Sequence, residues 1–203
     1  MWGPFGYSVG KVFQQSPLLS NGAAGFVSFA LGDVLAQAVE ARDDCEAGKR
    51  TTLLAQVDVK RAVLLGGLGV VVNGHILVKW FAWMDRAVGA SMTSTRVLLT
   101  KTALDQIVFA PFGIVTFFSY TSALCPYKAE SATARSAYED WQQTFRHKME
   151  SKFLSTFAAD CSVWPAINML QFRLVPLVYR PAVNAGAALC WQAYLSHESL
   201  SGR

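Results

Sequence analysis

Charge is scarce in this chain. Asp, Glu, Lys and Arg make up 16% of its 203 residues, against about 25% in an ordinary soluble domain. Hydrophobic residues make up 52%, and the mean hydropathy is +0.27. So apolar a composition excludes a disordered chain, and too few charges remain to coat a water-exposed surface. The net charge of +4 is scattered rather than gathered into a dense Lys/Arg tract, which excludes a dedicated nucleic-acid binder. Cysteine is sparse as well. Cys45, Cys125, Cys161 and Cys190 lie far apart and form no Cys-x-x-Cys pair, and only His75, His147 and His197 accompany them. No such spacing suits a metal or a haem, so no metal and no cofactor is expected, and the cysteines read as small apolar groups. Neither a His-Glu-x-x-His motif nor a Walker phosphate loop is present. Gly66-Gly67-Leu68-Gly69 lies inside an apolar run, where glycine serves helix packing rather than phosphate binding. The expectation is a membrane protein without catalytic activity.

What the chain has instead is long uncharged runs. None of the four charged residue types occurs between Lys11 and Asp33, from Ala62 to Val78, from Gln106 to Tyr127, or from Pro181 to His197. A fifth run, Phe153 to Tyr179, is interrupted only by Asp160 and Arg173. A membrane-spanning helix needs about 20 mainly apolar residues. The runs therefore predict hydrophobic helices near 17–40, 58–88, 94–124, 151–178 and 181–197. The last two are joined through Pro176 and Pro181, which break or kink a helix. They read as broken elements sharing one crossing and its return, which makes four crossings the preferred count and five the alternative.

The connections differ in character. Residues 40–61 are the most charged part of the chain. Within 135–150, Tyr138, Trp141, Phe145 and Met149 recur at helical spacing among polar neighbours. That pattern is an amphipathic helix, suited equally to the headgroup layer or a partner surface and to packing on the bundle. The expected fold is all-α: an integral membrane bundle of about four transmembrane helices, with an amphipathic helix between the third and fourth, in a single domain over 1–203. Residues 40–61 and 125–152 carry five Lys/Arg each. With four crossings this bias puts both connections on one side and both termini on the other. No cleavable leader is evident, so an internal, uncleaved address is expected.

Small residues at Ser20, Ala24, Ser28, Gly32 and Ala36 recur every four positions and mark a packing stripe, repeated more weakly by Ala182, Gly186 and Cys190. Functional candidates are the polar groups deep in the apolar runs, because an ionisable residue there costs about 2.5–3.5 kcal/mol to insert. They are Asp33, Gln37, Lys101, Asp105, Gln106, Asp160, Asn168, Gln171 and Arg173. They line a pore or solute site, or else form a buried polar lattice that sets helix register. Lys79, Asp85 and Arg86 lie near a helix end and can snorkel. Lys101 and Asp105 stand four apart on one helical face and are expected to pair. Pro111 and Pro165 should each free a carbonyl one turn upstream, at Ile107 and Cys161.

Several of these residues recur in a known combination. Gly32-Asp33 precedes Gln37; Trp80-Phe81 precedes Asp85-Arg86; Lys101 precedes Asp105-Gln106 and Ala110-Pro111. Trp164-Pro165 is followed by Phe172, Val175-Pro176, Arg180, Trp191 and Tyr194-Leu195-Ser196. From about Tyr7 to Ser196 the chain resembles the Mpv-seventeen family, also called the peroxisomal membrane protein 22 kDa family. That resemblance implies a small four-helix protein of the mitochondrial inner membrane or, alternatively, the peroxisomal membrane. It further implies a channel-like or solute-homeostasis role. The alternative is an accessory structural subunit of a large mitochondrial membrane complex. Expected partners are membrane lipid and either further copies of the chain or a larger complex, with no nucleic acid.

Overall fold

The computed structural model describes residues 16–46, 57–124 and 136–200. Among them the chain forms five long helices and no strand: α1 (Pro17–Glu46), α2 (Val59–Ala87), α3 (Thr95–Leu124), α4 (Ala137–Leu174) and α5 (Arg180–Leu200). The N-terminal stretch, the middle of the charged connection and residues 125–135 lie outside the described residues. Of the five, α1, α2 and α3 are long and apolar enough to cross a membrane by length and composition. In a bilayer the helix is the solution for such segments because it satisfies its own backbone groups. The chain is an all-α membrane bundle.

Local chemistry sets the ends. Asp58 caps α2 by accepting from the Arg61 backbone N–H at 2.9 Å. Ser136 and Glu139 form a reciprocal capping box at the start of α4. The turn between α2 and α3 passes through Gly89 at φ 121°, a conformation that glycine adopts without steric cost. Val175 is held extended ahead of Pro176, a short 3-10 turn follows at Leu177–Tyr179, and Pro181 sits in the first turn of α5.

This Val175–Tyr179 link corrects one expectation. It does not merely kink a helix; it reverses the chain. Trp164 meets Trp191 edge-on at 6.2 Å, and Lys152 donates to the Glu198 carbonyl, so α4 and α5 run antiparallel along the bundle. α1 packs antiparallel on α2 and parallel to α5: Ser28 donates to the Ala185 carbonyl and Ser196 to Asp33. The end of α5 therefore lies beside the start of α2 and beside Lys148 and Lys152 of α4. The helix ends that flank the two long connections lie at the same end of the bundle as the C-terminal end of α5, whereas the charge bias put both termini opposite the connections.

A second difference concerns α4. Its 38 residues continue without a break from the amphipathic segment into the apolar run that begins at Phe153. At 1.5 Å per residue that is about 57 Å, well beyond a hydrocarbon core of about 30 Å. Phe145 and Met149 pack on the bundle core, and Trp141 donates to the Ser119 carbonyl at 3.0 Å. The apolar face of this segment is thus turned onto its own bundle.

Helix contacts follow the small residues only in part. A Cβ on Gly25 would stand 2.3 Å from the Gly69 carbonyl oxygen, and one on Gly32 2.6 Å from Gln192 Cβ. These glycines let α1 approach α2 and α5 closely. The Ala182, Gly186, Cys190 stripe does not pack: Gly186 faces open space and Cys190 is exposed. The buried positions of α5 include Ala185, Ala188, Gln192 and Ser196 instead, the face turned toward Ser28 and Asp33.

Outside, Leu31, Leu35, Val63, Val71, Ile107, Phe112, Leu154 and Leu170 are exposed in rows along their helices. Inside, buried polar residues are as prominent as buried apolar ones. Apolar side chains meet lipid at no cost, while polar groups must find partners in the interior.

Candidate functional site

The interior polar groups fall into three groups stacked along the bundle. At one end Asp33 of α1 lies fully buried. Arg61 of α2 donates to it from Nε at 2.8 Å, and Ser196 of α5 donates to the same carboxylate oxygen. Arg61 also forks onto both oxygens of Glu40, at 3.0 and 3.1 Å. Gln37 donates to Asp33 at 2.8 Å and accepts from the Asp58 backbone N–H at 2.7 Å. One guanidinium thus ties α1 to α2 with planar, bidentate geometry that a lysine could not reproduce.

At the other end Asp85 of α2 is the hub. Lys101 of α3 and Arg180 of α5 both donate to its Oδ1, Arg180 at 2.7 Å. Lys101 is 0% and Arg180 1% exposed. Both cations also lie over the ring of Phe172 from α4, at 5.8 and 5.4 Å. Arg180 is held in place by donating to the Val175 carbonyl at 3.0 Å. Four helices meet here around one carboxylate.

This overturns the expected Lys101–Asp105 pair. Lys101 goes to Asp85, and Asp105 is held from two other helices. Trp80 Nε1 donates to its Oδ1 at 2.9 Å, and Asn168 Nδ2 to its Oδ2 at 2.5 Å. Gln171 then donates to Asn168 at 2.7 Å. Asp85, which was free to snorkel, faces inward, while Lys79 and Arg86 are exposed. Arg173, a candidate from the sequence, is exposed and joins none of the three groups. Gln106 stands beside Asp160.

Between the two ionic ends lies a cavity of about 90 Å³. All five helices line it: Phe29 from α1; Leu68, Asn73 and Leu77 from α2; Asp105, Phe109 and Phe117 from α3; Asp160 and Trp164 from α4; Asn184, Trp191 and Gln192 from α5. Both α2 and α3 carry a π-helical turn at this level, Val72–Leu77 and Asp105–Phe109. A π turn inserts one residue and re-aims the face that follows, and it recurs at functional sites. In α3 it lies directly before Pro111, so the position expected to hold a freed carbonyl, Ile107, sits in the widened turn that accommodates the proline ring. α4 remains helical through Pro165.

Several polar residues of this interior were not singled out by the sequence. Arg61 sits at a helix start and counts as a connection charge. Asn73 and Gln192 lie inside uncharged runs, as the chosen Gln106 does, but were passed over. Arg180 entered only through the family resemblance. One available signal was their location within or beside apolar runs.

The fold and its interior define a class: a helical membrane protein with an apolar exterior, a polar interior and a central cavity. The Mpv17 / PMP22 family profile matches residues 137–196. The human mitochondrial inner membrane protein Mpv17 is 30% identical over 82% of this chain and 81% of its own length. Protein SYM1 of Gibberella zeae is 30% identical, over 89% of each chain. The mitochondrial inner membrane protein Mpv17 of Drosophila melanogaster is 30% identical over 70% of this chain and 77% of its own. No solved structure matches. The chain belongs to the Mpv17 / PMP22 family and to the mitochondrial inner membrane, the compartment given in the names of the human and Drosophila relatives.

Proposed function

We propose that the chain is a non-enzymatic solute pathway whose polar interior carries small molecules through the inner membrane, with the ionic clusters acting as its two gates. The observation behind this reading is the order of groups along the bundle. The central cavity lies between Asp33–Arg61–Glu40 on one side and Asp85–Lys101–Arg180 on the other. A lattice that only set helix register would need neither the cavity nor the unpartnered polar atoms around it. Asp33, Gln37, Lys101, Asp105, Gln106, Asp160, Asn168 and Gln171 would then belong to the gates and the wall of the pathway.

The test is solute flux through proteoliposomes holding the purified protein, wild type against Glu40→Gln and Lys101→Met. Each change loosens one gate and spares a remaining ion pair, Asp33–Arg61 or Asp85–Arg180. Wild-type vesicles should leak small solutes above empty ones, and each variant should leak faster. No flux from any of the three, together with co-migration of the native protein with a megadalton complex, would favour an accessory structural subunit.

A further inference from the structure

The cavity has a sign. Among the described residues, its lining includes two carboxylates, Asp105 and Asp160, and no Lys, Arg or His. Of the buried cations, Lys101 and Arg180 are committed to Asp85, and Lys148 donates to Thr121. Asp105 has both oxygens bonded, to Trp80 and Asn168. Asp160 differs. It is 5% exposed, its Oδ1 accepts no hydrogen bond, and the amide of Gln106 beside it is unpartnered as well. Across the cavity Gln192 Oε1 likewise has no donor. Buried polar atoms left without partners in a native interior call for an occupant.

We propose that this cavity is a binding site for a small organic ammonium ion, held by an ion pair to Asp160 and by the surrounding aromatic rings. An ammonium group supplies the positive charge the two carboxylates lack and three N–H donors, enough for both Asp160 Oδ1 and Gln192 Oε1. Trp164 and Trp191 form an aromatic wall, set edge to face at 6.2 Å, against which a cation is attracted by the ring quadrupole. Size follows from volume. A dry cavity of about 150 Å³ holds benzene, with its six heavy atoms. The space of about 90 Å³ therefore suits an ion of two to four. This inference names the solute class of the pathway proposed above and rests on that reading for transport, but not for binding.

The experiment uses full-length protein in detergent micelles, with ethylammonium as the probe and ethanol and acetate as neutral and anionic controls of similar size. Tryptophan fluorescence and the melting temperature are followed as each is titrated. Ethylammonium should give a saturable change in both, the controls none. Asp160→Asn keeps the shape and removes the charge, and it should weaken binding by about tenfold or more. A second series on the wild type alone, from methylammonium to hexylammonium, should lose binding once the chain outgrows the cavity. No saturation, an equal response to ethanol or acetate, an unchanged affinity in Asp160→Asn, or binding that does not fall with length would each overturn the proposal. Binding without flux retires the pathway and keeps the site; flux without binding does the reverse.

Discussion

Asp85 should be far less replaceable than Lys101, although the two form an ion pair. Removing Asp85 strands two cations, one fully buried and one 1% exposed, with Arg180 losing a contact of 2.7 Å. Breaking one buried ion pair by deleting one partner costs about 3–5 kcal/mol, because the other charge is left uncompensated. Asp85→Leu leaves two such charges, so its penalty should reach or exceed the top of that range. Lys101→Met is different. Asp85 keeps Arg180, the cluster passes from net positive to neutral, and the methionine stem still fills the space over Phe172. Its expected cost is about 1.5–3 kcal/mol, comparable to one charge-assisted hydrogen bond. In Asp85→Leu/Lys101→Met one of the stranded cations is gone, so the double variant should be more stable than Asp85→Leu alone. The measurement is unfolding in mixed micelles of rising SDS fraction, followed by far-UV circular dichroism, with the four proteins forming a double-mutant cycle. Equal losses for the two single variants would refute the reasoning, since they would show that Arg180 does not share the carboxylate. Recovery in Lys101→Met/Asp105→Leu would refute it in another way, by reinstating the pair suggested by sequence spacing.

Two further outcomes follow from the same geometry. Gly25→Ala places a methyl 2.3 Å from a backbone oxygen that cannot yield, and it should destabilise the α1–α2 contact by about 1–3 kcal/mol, whereas Gly67→Ala and Gly113→Ala, with nothing within 4 Å, should be neutral in the same unfolding assay. Trp80→Phe removes the donor to Asp105 and should cost about 1.5–3 kcal/mol, while Trp83→Phe, at a ring 45% exposed, should cost much less; comparable losses would show that stacking, not the hydrogen bond, is what Trp80 contributes.

The sequence by itself determined the class, the helices and most of the polar set. Uncharged runs of twenty residues leave few alternatives in a bilayer, because a helix bonds its own backbone there and an isolated open strand does not. Hence α1, α2 and α3 fall within a few residues of the runs that announced them. The same physics marks Asp33, Asp105, Asp160 and Asn168: a polar side chain on such a helix has no partner in lipid and turns inward. It does not say to whom. Spacing along one helix offered Asp105 to Lys101, but Asp85 arrives from α2, and Asp105 is taken by Trp80 and Asn168 from α2 and α4. Pairing in a low-dielectric interior is decided by which groups the crossing helices bring within hydrogen-bond reach, and that depends on every helix at once. The arginines show it best. Arg173 and Arg180 stand seven residues apart on either side of the proline link, alike to any one-dimensional count. The link reverses the chain between them, leaving Arg173 on the outer surface and folding Arg180 back beneath Asp85.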